Sequence, residues 1–422
     1  MEKISIQGGN PLFGKVEISG SKNSSLSILA TCLLTDKKIS ISNVPKLTDT
    51  FFFLELLSSF GVEIKGLNDF KNAKKIVLNA KNITNNKAPY NLVKKMRASI
   101  LVLGPLLART GKATVSLPGG CLIGSRPVDI HLEALKKLGA NISIEKGYIH
   151  AEAQNGLKGN KIIFPKVSVG ATVNTLMAAV LAKGNTEIYN AAKEPEIEDL
   201  GNCLKSMGAK IEGLGTNRIL IEGITKLKEI NYEVMFDRIE VGTYALAVAI
   251  AGGEIELLGA KKKVLNFFLN VLETIGVKYV ITENSIIFKR NSNSLNPIDI
   301  TTEPYPGFPT DLQAQLMAAM TVSNGTSVIT ENIFENRFMH APELMRMGAK
   351  IKLKGNLAII EGVKKLKGAE VMATDLRASV SLVLAGLVAD GITNINRIYH
   401  IDRGYQNIVE KLKACGANIN RV

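Results

Sequence analysis

The chain has 422 residues, enough for two or three domains with cores of their own, and its 46% apolar and 21% charged content excludes disordered, collagen-like and coiled-coil classes. The charge balance of 52 − 38 = +14 describes either a lysine-rich solvated surface or a protein that attracts anions; with no Trp and 5% aromatics, nucleic acid is not an expected partner. Apolar runs such as 176–182 and 244–251 are too short to span a membrane, no signal peptide is visible at the N-terminus, and four cysteines without a CxxC pair fit a reducing cytoplasm rather than a disulfide framework or zinc site.

Along the chain, a helix-like run that ends in glycine and enters a strand recurs at Gly61, Gly139, Gly208, Gly276, Gly348 and Gly416, at intervals of 78, 69, 68, 72 and 68 residues. Glycine suits that place because a left-handed residue just past a helix end carries no Cβ penalty. A second marker, at Gly111, Gly184, Gly253, Gly325 and Gly391, stops a helix and starts a strand, and Asp36 fills its slot in the first copy. Each copy therefore predicts strand, helix, strand, helix, strand, strand. One helix per copy, within 25–34, 100–108, 171–182, 243–251, 312–322 and 378–389, is apolar nearly all round and must be buried on every side. Buried helices with strands outside them, three copies to a domain, predict an inside-out α/β protein of two similar domains.

The residues at the mouths of those helices are Gly20-Ser21-Lys22-Asn23, Met96-Arg97, Lys166-Val167-Ser168-Val169, Asp237-Arg238, Thr310-Asp311 and Asp375-Leu376-Arg377. Helix N-termini offer free N–H groups and a positive dipole end, so Lys22, Arg97 and Lys166 add to a positive potential instead of balancing it, at a cost in stability that points to an anionic ligand. Asp237, Asp311 and Asp375 are open to two readings, N-caps or groups of the site.

A glycine- and proline-rich loop, Leu117-Pro-Gly-Gly-Cys121-Leu-Ile-Gly-Ser-Arg126-Pro127-Val128-Asp129-Ile130-His131, carries a cysteine in an electropositive setting, whereas Cys32, Cys203 and Cys415 sit in helix patterns and read as core. Arg337, Arg377 and Arg403 form a late basic group suited to carboxylate or phosphate, with pairing to neighbouring aspartates as the alternative. The run from Gly9 to Lys15 has P-loop glycine spacing, but Val16 and a strand follow the lysine, so it fails as a phosphate loop. No GxGxxG follows a strand and no metal-ligand set stands out; neither a cofactor nor a metal is expected.

Ile18-Ser-Gly-Ser-Lys22-Asn23, Met96-Arg97-Ala-Ser, Pro118-Gly-Gly-Cys121-x-Ile-Gly-x-Arg126-Pro-Val-Asp, Tyr305-Pro-Gly-Phe-Pro-Thr-Asp311, Ala373-Thr-Asp-Leu-Arg377, Glu331-Asn-Ile333-Phe-Glu-Asn-Arg337 and Ile398-Tyr-His-Ile-Asp-Arg403 together resemble the UDP-N-acetylglucosamine enolpyruvyl transferase family over essentially the whole chain. The resemblance implies two inverse α/β barrels, residues 22–235 carrying the Cys121 loop and residues 1–21 plus 236–422. It implies transfer of the enolpyruvyl group of phosphoenolpyruvate to the 3′-hydroxyl of UDP-N-acetylglucosamine, the first committed step of peptidoglycan synthesis, in a cytoplasmic monomer sensitive to fosfomycin. Cys121 would donate a proton or aid product release, Asp311 would accept the proton of the sugar hydroxyl, and Lys22, Arg126 and Arg403 would hold phosphoenolpyruvate, with Arg337 and Arg377 near its carboxylate. Asn23, Arg97, Arg126, Pro127, Val128, Asp129, Ile130, Lys166, Val167, Ser168, Val169 and Ile333 would bind the nucleotide sugar. A related transferase acting on shikimate 3-phosphate, or a non-enzymatic basic anion-binding protein, are the competing readings.

Overall fold

The computed structural model describes residues 2–118, 128–291 and 294–422. The expected roles of Cys121, Arg126 and Pro127 fall outside the described residues. Two compact units emerge, one built from residues 20–118 and 128–235, the other from residues 2–19 and 236–422. Each has its own apolar core.

Among the described residues the strands form six four-stranded sheets of one pattern. In the second copy Lys87–Ala88 runs parallel to Lys112–Ser116, which pairs antiparallel with Tyr148–Glu152, and that strand pairs antiparallel with Asn141–Glu145. The buried helix joins the first two strands, and the outer helix leads from the second into the closing hairpin. Three of the sheets borrow strands from far along the chain. Ile230–Glu233 pairs parallel with Lys38–Ser42, about as distant as its unit allows. Ile4–Gln7 inserts between Ile392–Asn396 and Asn418–Arg421, while Leu12–Glu17 runs beside Gly253–Leu258. Each unit thus closes by bringing the end of its sequence back to its start.

The apolar helices are enclosed as the pattern predicts: every residue of Gln313–Met320 and Ser379–Gly386 is buried, as are Ile239–Ile250 within Arg238–Ala251. These three helices pack against one another inside their unit. The run expected at 100–108 is in fact a 3-10 turn, Arg97–Val102, followed by an α-helix, Leu103–Thr110. Pro105 accounts for the break, since it has no N–H for an α-helical bond back to Leu101. The 25–34 run likewise divides into an α-helix, Lys22–Ala30, and a 3-10 turn, Thr31–Leu34. No described helix is long and apolar enough to cross a membrane.

Gly104 shows how closely the inner helices approach. Its N–H donates to Asn174 Oδ1 at 2.9 Å, and a Cβ there would lie 2.4 Å from the Asn174 carbonyl oxygen. Gly104→Ala forces backbone to move against backbone and is expected to cost about 1–3 kcal/mol. The measurement is a fall in the denaturant midpoint at unchanged slope.

Candidate active site

In the unit of residues 20–235, Ser21 caps the Lys22–Ala30 helix by accepting from Ser24 N at 3.3 Å. Lys22, the first helical residue, is 7% exposed, and its Nζ lies 2.9 Å from Asp49 Oδ2 on the neighbouring helix Thr48–Ser59. Asn23 is exposed beside it. Behind them the buried Asp199 gathers the Ser24 hydroxyl, Tyr232 Oη at 2.7 Å and Met235 N at 3.2 Å. Burial raises the Asp199 carboxyl pKa, and the hydrogen bonds from Ser24, Tyr232 and Met235 act against that rise.

Three more expected groups lie in this unit. Arg97 opens its 3-10 turn, and Val128 precedes the helix Asp129–Lys137, where Asp129 is exposed and Ile130 half-buried. Lys166 and Val169 are exposed, and Ser168 Oγ accepts from Ala171 N at 3.3 Å to cap Val169–Val180. His131 sits beneath both segments. Asn174 Oδ1 takes the Gly104 N–H, so its Nδ2 donates to Ile100 O and to His131 Nδ1, each at 2.9 Å. That places the imidazole proton on Nε2. Burial, aided by the Arg97 charge, lowers the His131 pKa to about 4. A depressed histidine stabilises the fold above its unfolded value near 6.5, and that contribution drains away as pH falls from there towards 4. The ring resonances of His131 should therefore stay in the neutral position from about pH 7 to pH 5, and a midpoint above about 6 would contradict the burial argument.

In the other unit the structure brings Asp311, Arg337 and Arg377 together. Arg337 Nη2 reaches Asp311 Oδ1 at 2.8 Å, and Arg377 Nε stands 3.7 Å from Asp311 Oδ2. Asp311 keeps 25% of its side chain exposed while the two arginines are buried, so the carboxylate edge faces solvent and its cations stand behind it. Arg377 also donates to Gly404 O at 3.1 Å, pairs with Asp237 Oδ2 at 3.5 Å, and stacks over the Tyr405 ring at 5.3 Å. Burial by itself would lower the Arg377 pKa; Asp237, Tyr405 and Asp311 together hold it above its ordinary value.

Asp237 and Asp375 resolve as N-caps: Asp237 Oδ1 accepts from Ile239 N and Glu240 N at 2.8 and 3.1 Å, and Asp375 Oδ1 from Arg377 N and Ala378 N at 2.8 and 2.9 Å. The turn Thr310–Leu312 has no side-chain cap at Pro309, and the Asp311 carboxylate pairs with Arg337 and Arg377. Ile333 N donates to Glu331 Oε1 at 2.8 Å, and Glu331 Oε2 accepts from Thr310 Oγ1 at 2.8 Å, which ties the Ile333 loop to the Asp311 turn. Arg403 ends a 3-10 turn, Ile398–Arg403, next to Gly404.

One expectation needs correcting. Lys22 does not stand as an uncompensated charge, because Asp49 balances it without any ligand, and of the two readings left open for Arg337 and Arg377 the structure shows pairing, with Asp311 and Asp237. A buried cation without an anion would cost several kcal/mol, so the fold supplies one from a separate element each time. Sequence reading gave no role to Asp49, Asp199, Glu331 and Tyr405, although Glu331 stands within a quoted motif, because each meets its partner through tertiary packing. Cys32, Cys203 and Cys415 are buried free thiols, and burial raises the pKa of each.

The family model described as EPSP synthase (3-phosphoshikimate 1-carboxyvinyltransferase) matches residues 6–412. Proteins named UDP-N-acetylglucosamine 1-carboxyvinyltransferase from Caulobacter sp. (strain K31) and Rickettsia bellii (strain OSU 85-389) are each 55% identical to this chain, covering all of it and 98% and 100% of their own lengths. Among solved structures, the enolpyruvyl transferase NikO from Streptomyces tendae matches with a TM-score of 0.88 at 24% identity, covering 100% of this chain and 99% of that one. An EPSP synthase from Acinetobacter baumannii matches with a TM-score of 0.75 at 20% identity over the whole of both chains. At those identities the likeness is one of fold.

Proposed function

The chain belongs to the UDP-N-acetylglucosamine 1-carboxyvinyltransferases within the wider EPSP synthase family, and from that premise we propose that it transfers the enolpyruvyl group of phosphoenolpyruvate to the 3′-hydroxyl of UDP-N-acetylglucosamine, releasing phosphate. The observation that carries this reading is the 55% identity over the full chain to proteins of that name. It outweighs the shikimate 3-phosphate alternative, for which the support is a family model that spans both kinds of transferase and a fold shared at 20% identity.

In the proposed reaction the sugar oxygen bonds to C2 of phosphoenolpyruvate while a proton reaches C3, giving a tetrahedral ketal. Loss of a proton from the new methyl group then expels phosphate and restores the double bond. Asp311 takes the proton of the sugar hydroxyl, and its solvent-facing edge suits that task. Lys22 and Arg403, with Arg126, hold phosphoenolpyruvate, with Arg337 and Arg377 near its carboxylate, and the same two guanidiniums orient Asp311. Cys121 supplies the proton to C3 or aids release, which makes it the group that fosfomycin would alkylate. Asn23, Arg97, Pro127–Ile130, Lys166–Val169 and Ile333 hold the nucleotide sugar; the Ser168-capped helix start gives its diphosphate free amides. The domains expected at residues 22–235 and 1–21 with 236–422 correspond to the two compact units, whose division falls two residues earlier, between Ser19 and Gly20. The enzyme works as a cytoplasmic monomer at the first committed step of peptidoglycan synthesis, and so bears on cell-wall growth, cell shape and division.

The test is phosphate release. Phosphoenolpyruvate and UDP-N-acetylglucosamine should release phosphate only when both are present. Release with shikimate 3-phosphate but not with the nucleotide sugar would replace this reading by its alternative.

A further inference from the structure

Behind Asp311 and Arg377 lies a buried polar network that belongs to none of the sequence motifs. Gln315 Nε2 donates to the Asp311 carbonyl oxygen at 2.9 Å and to Tyr405 Oη at 3.0 Å. Thr243 Oγ1 stands 2.9 Å from Tyr405 Oη, and its own proton goes to Ile239 O at 2.9 Å. With that proton spent, the Tyr405 hydroxyl must donate to Thr243. The Arg377 guanidinium stands over the ring of the same tyrosine at 5.3 Å.

One hydroxyl, on a residue 2% exposed, thus donates once and accepts once, while the ring that carries it lies against a guanidinium. Its partners come from the helices Arg238–Ala251 and Gln313–Met320 and from the turn before Ser379–Gly386, which are the three inner helices of this unit. Apolar packing alone would not call for a fully bonded phenol at the point where those helices begin.

We propose that Tyr405 is a positioning residue for the transfer reaction: its hydroxyl holds Gln315 and through it the backbone of Asp311, while its ring backs Arg377, which pairs with the Asp311 carboxylate. This rests on Asp311 as the base. The charges around that carboxylate are the Arg337 and Arg377 guanidiniums. Asp237 lies on the far side of Arg377, Glu331 binds the neighbouring Thr310, and His340 is close enough to Arg337 to feel its charge.

The test compares the pH profile of turnover in the wild-type chain, Tyr405→Phe, Gln315→Met and, as a core control, Ile329→Val. Losing the Tyr405–Gln315 link frees the Asp311 backbone and so weakens the hold of Arg337 and Arg377 on its carboxylate, and the acid limb should move to higher pH by about half a unit or more in the first two variants. Turnover should fall about tenfold, with KM for UDP-N-acetylglucosamine changed less than about twofold. The control should lose thermal stability and keep the wild-type limb. A purely structural role would lower the folded fraction without moving the limb.

An unmoved limb in both variants, in a wild-type chain that turns the two substrates over, overturns the inference alone. A limb that shifts equally in Ile329→Val overturns it as well. Failure of the wild-type chain to release phosphate from the two substrates together overturns the functional reading and this inference with it. Should Tyr405→Phe not fold, Gln315→Met carries the same comparison.

Discussion

Asp311→Asn should lower turnover by about 10²–10⁴-fold, the range supplied by a well-placed general base. The change keeps an oxygen for Arg337 at the 2.8 Å position and removes the basic electron pair, so the variant should fold. Its stability loss should be about 1–3 kcal/mol, because two buried guanidiniums lose part of an anion. Phosphate release with both substrates, alongside a denaturation curve, separates the two effects. Retention of more than a tenth of wild-type turnover would remove Asp311 from the chemistry and leave it as a counter-ion for Arg337 and Arg377.

Lys22→Met is the second large effect, and it acts on stability as well as catalysis. The Lys22 side chain is 9% exposed and that of Asp49 1%, so the substitution leaves a carboxylate in the core short of its cation. Breaking such a pair from one side costs about 3–5 kcal/mol. The double variant Lys22→Met/Asp49→Leu should recover most of that loss, since both charges then leave together. Turnover should stay lost in the double variant if Lys22 also holds the anionic substrate. A coupling near zero in the double-mutant cycle would mean that the ion pair contributes nothing. Recovery of turnover along with stability would confine Lys22 to a structural role.

The sixfold architecture was legible because it rests on local rules. A glycine at each helix end and an all-round apolar helix in each copy are periodic signals within about 70 residues, and the six sheets repeat them faithfully. The helix mouths were legible for the same reason: Asp237, Ser168 and Asp375 cap through atoms two or three residues away. The strand insertions were not legible. Nothing local in Ile4–Gln7 or Leu12–Glu17 says that they complete sheets begun near residues 253 and 370; only the resemblance placed residues 1–21 with 236–422.

The same division runs through the site. Residue types and their spacing marked Lys22, Arg337, Arg377 and Arg403 as groups for anions, because helix ends and planar guanidiniums have that chemistry wherever they occur. The partner of each cation was decided in three dimensions: Asp49 for Lys22, Asp237 for Arg377, and Tyr405 and Gln315 beneath Asp311. Chain direction and periodicity set which residues cap, bury or turn. Burial decides which charges must be answered, and only the packed core brings the answering residue, often more than 50 positions away, within hydrogen-bond reach.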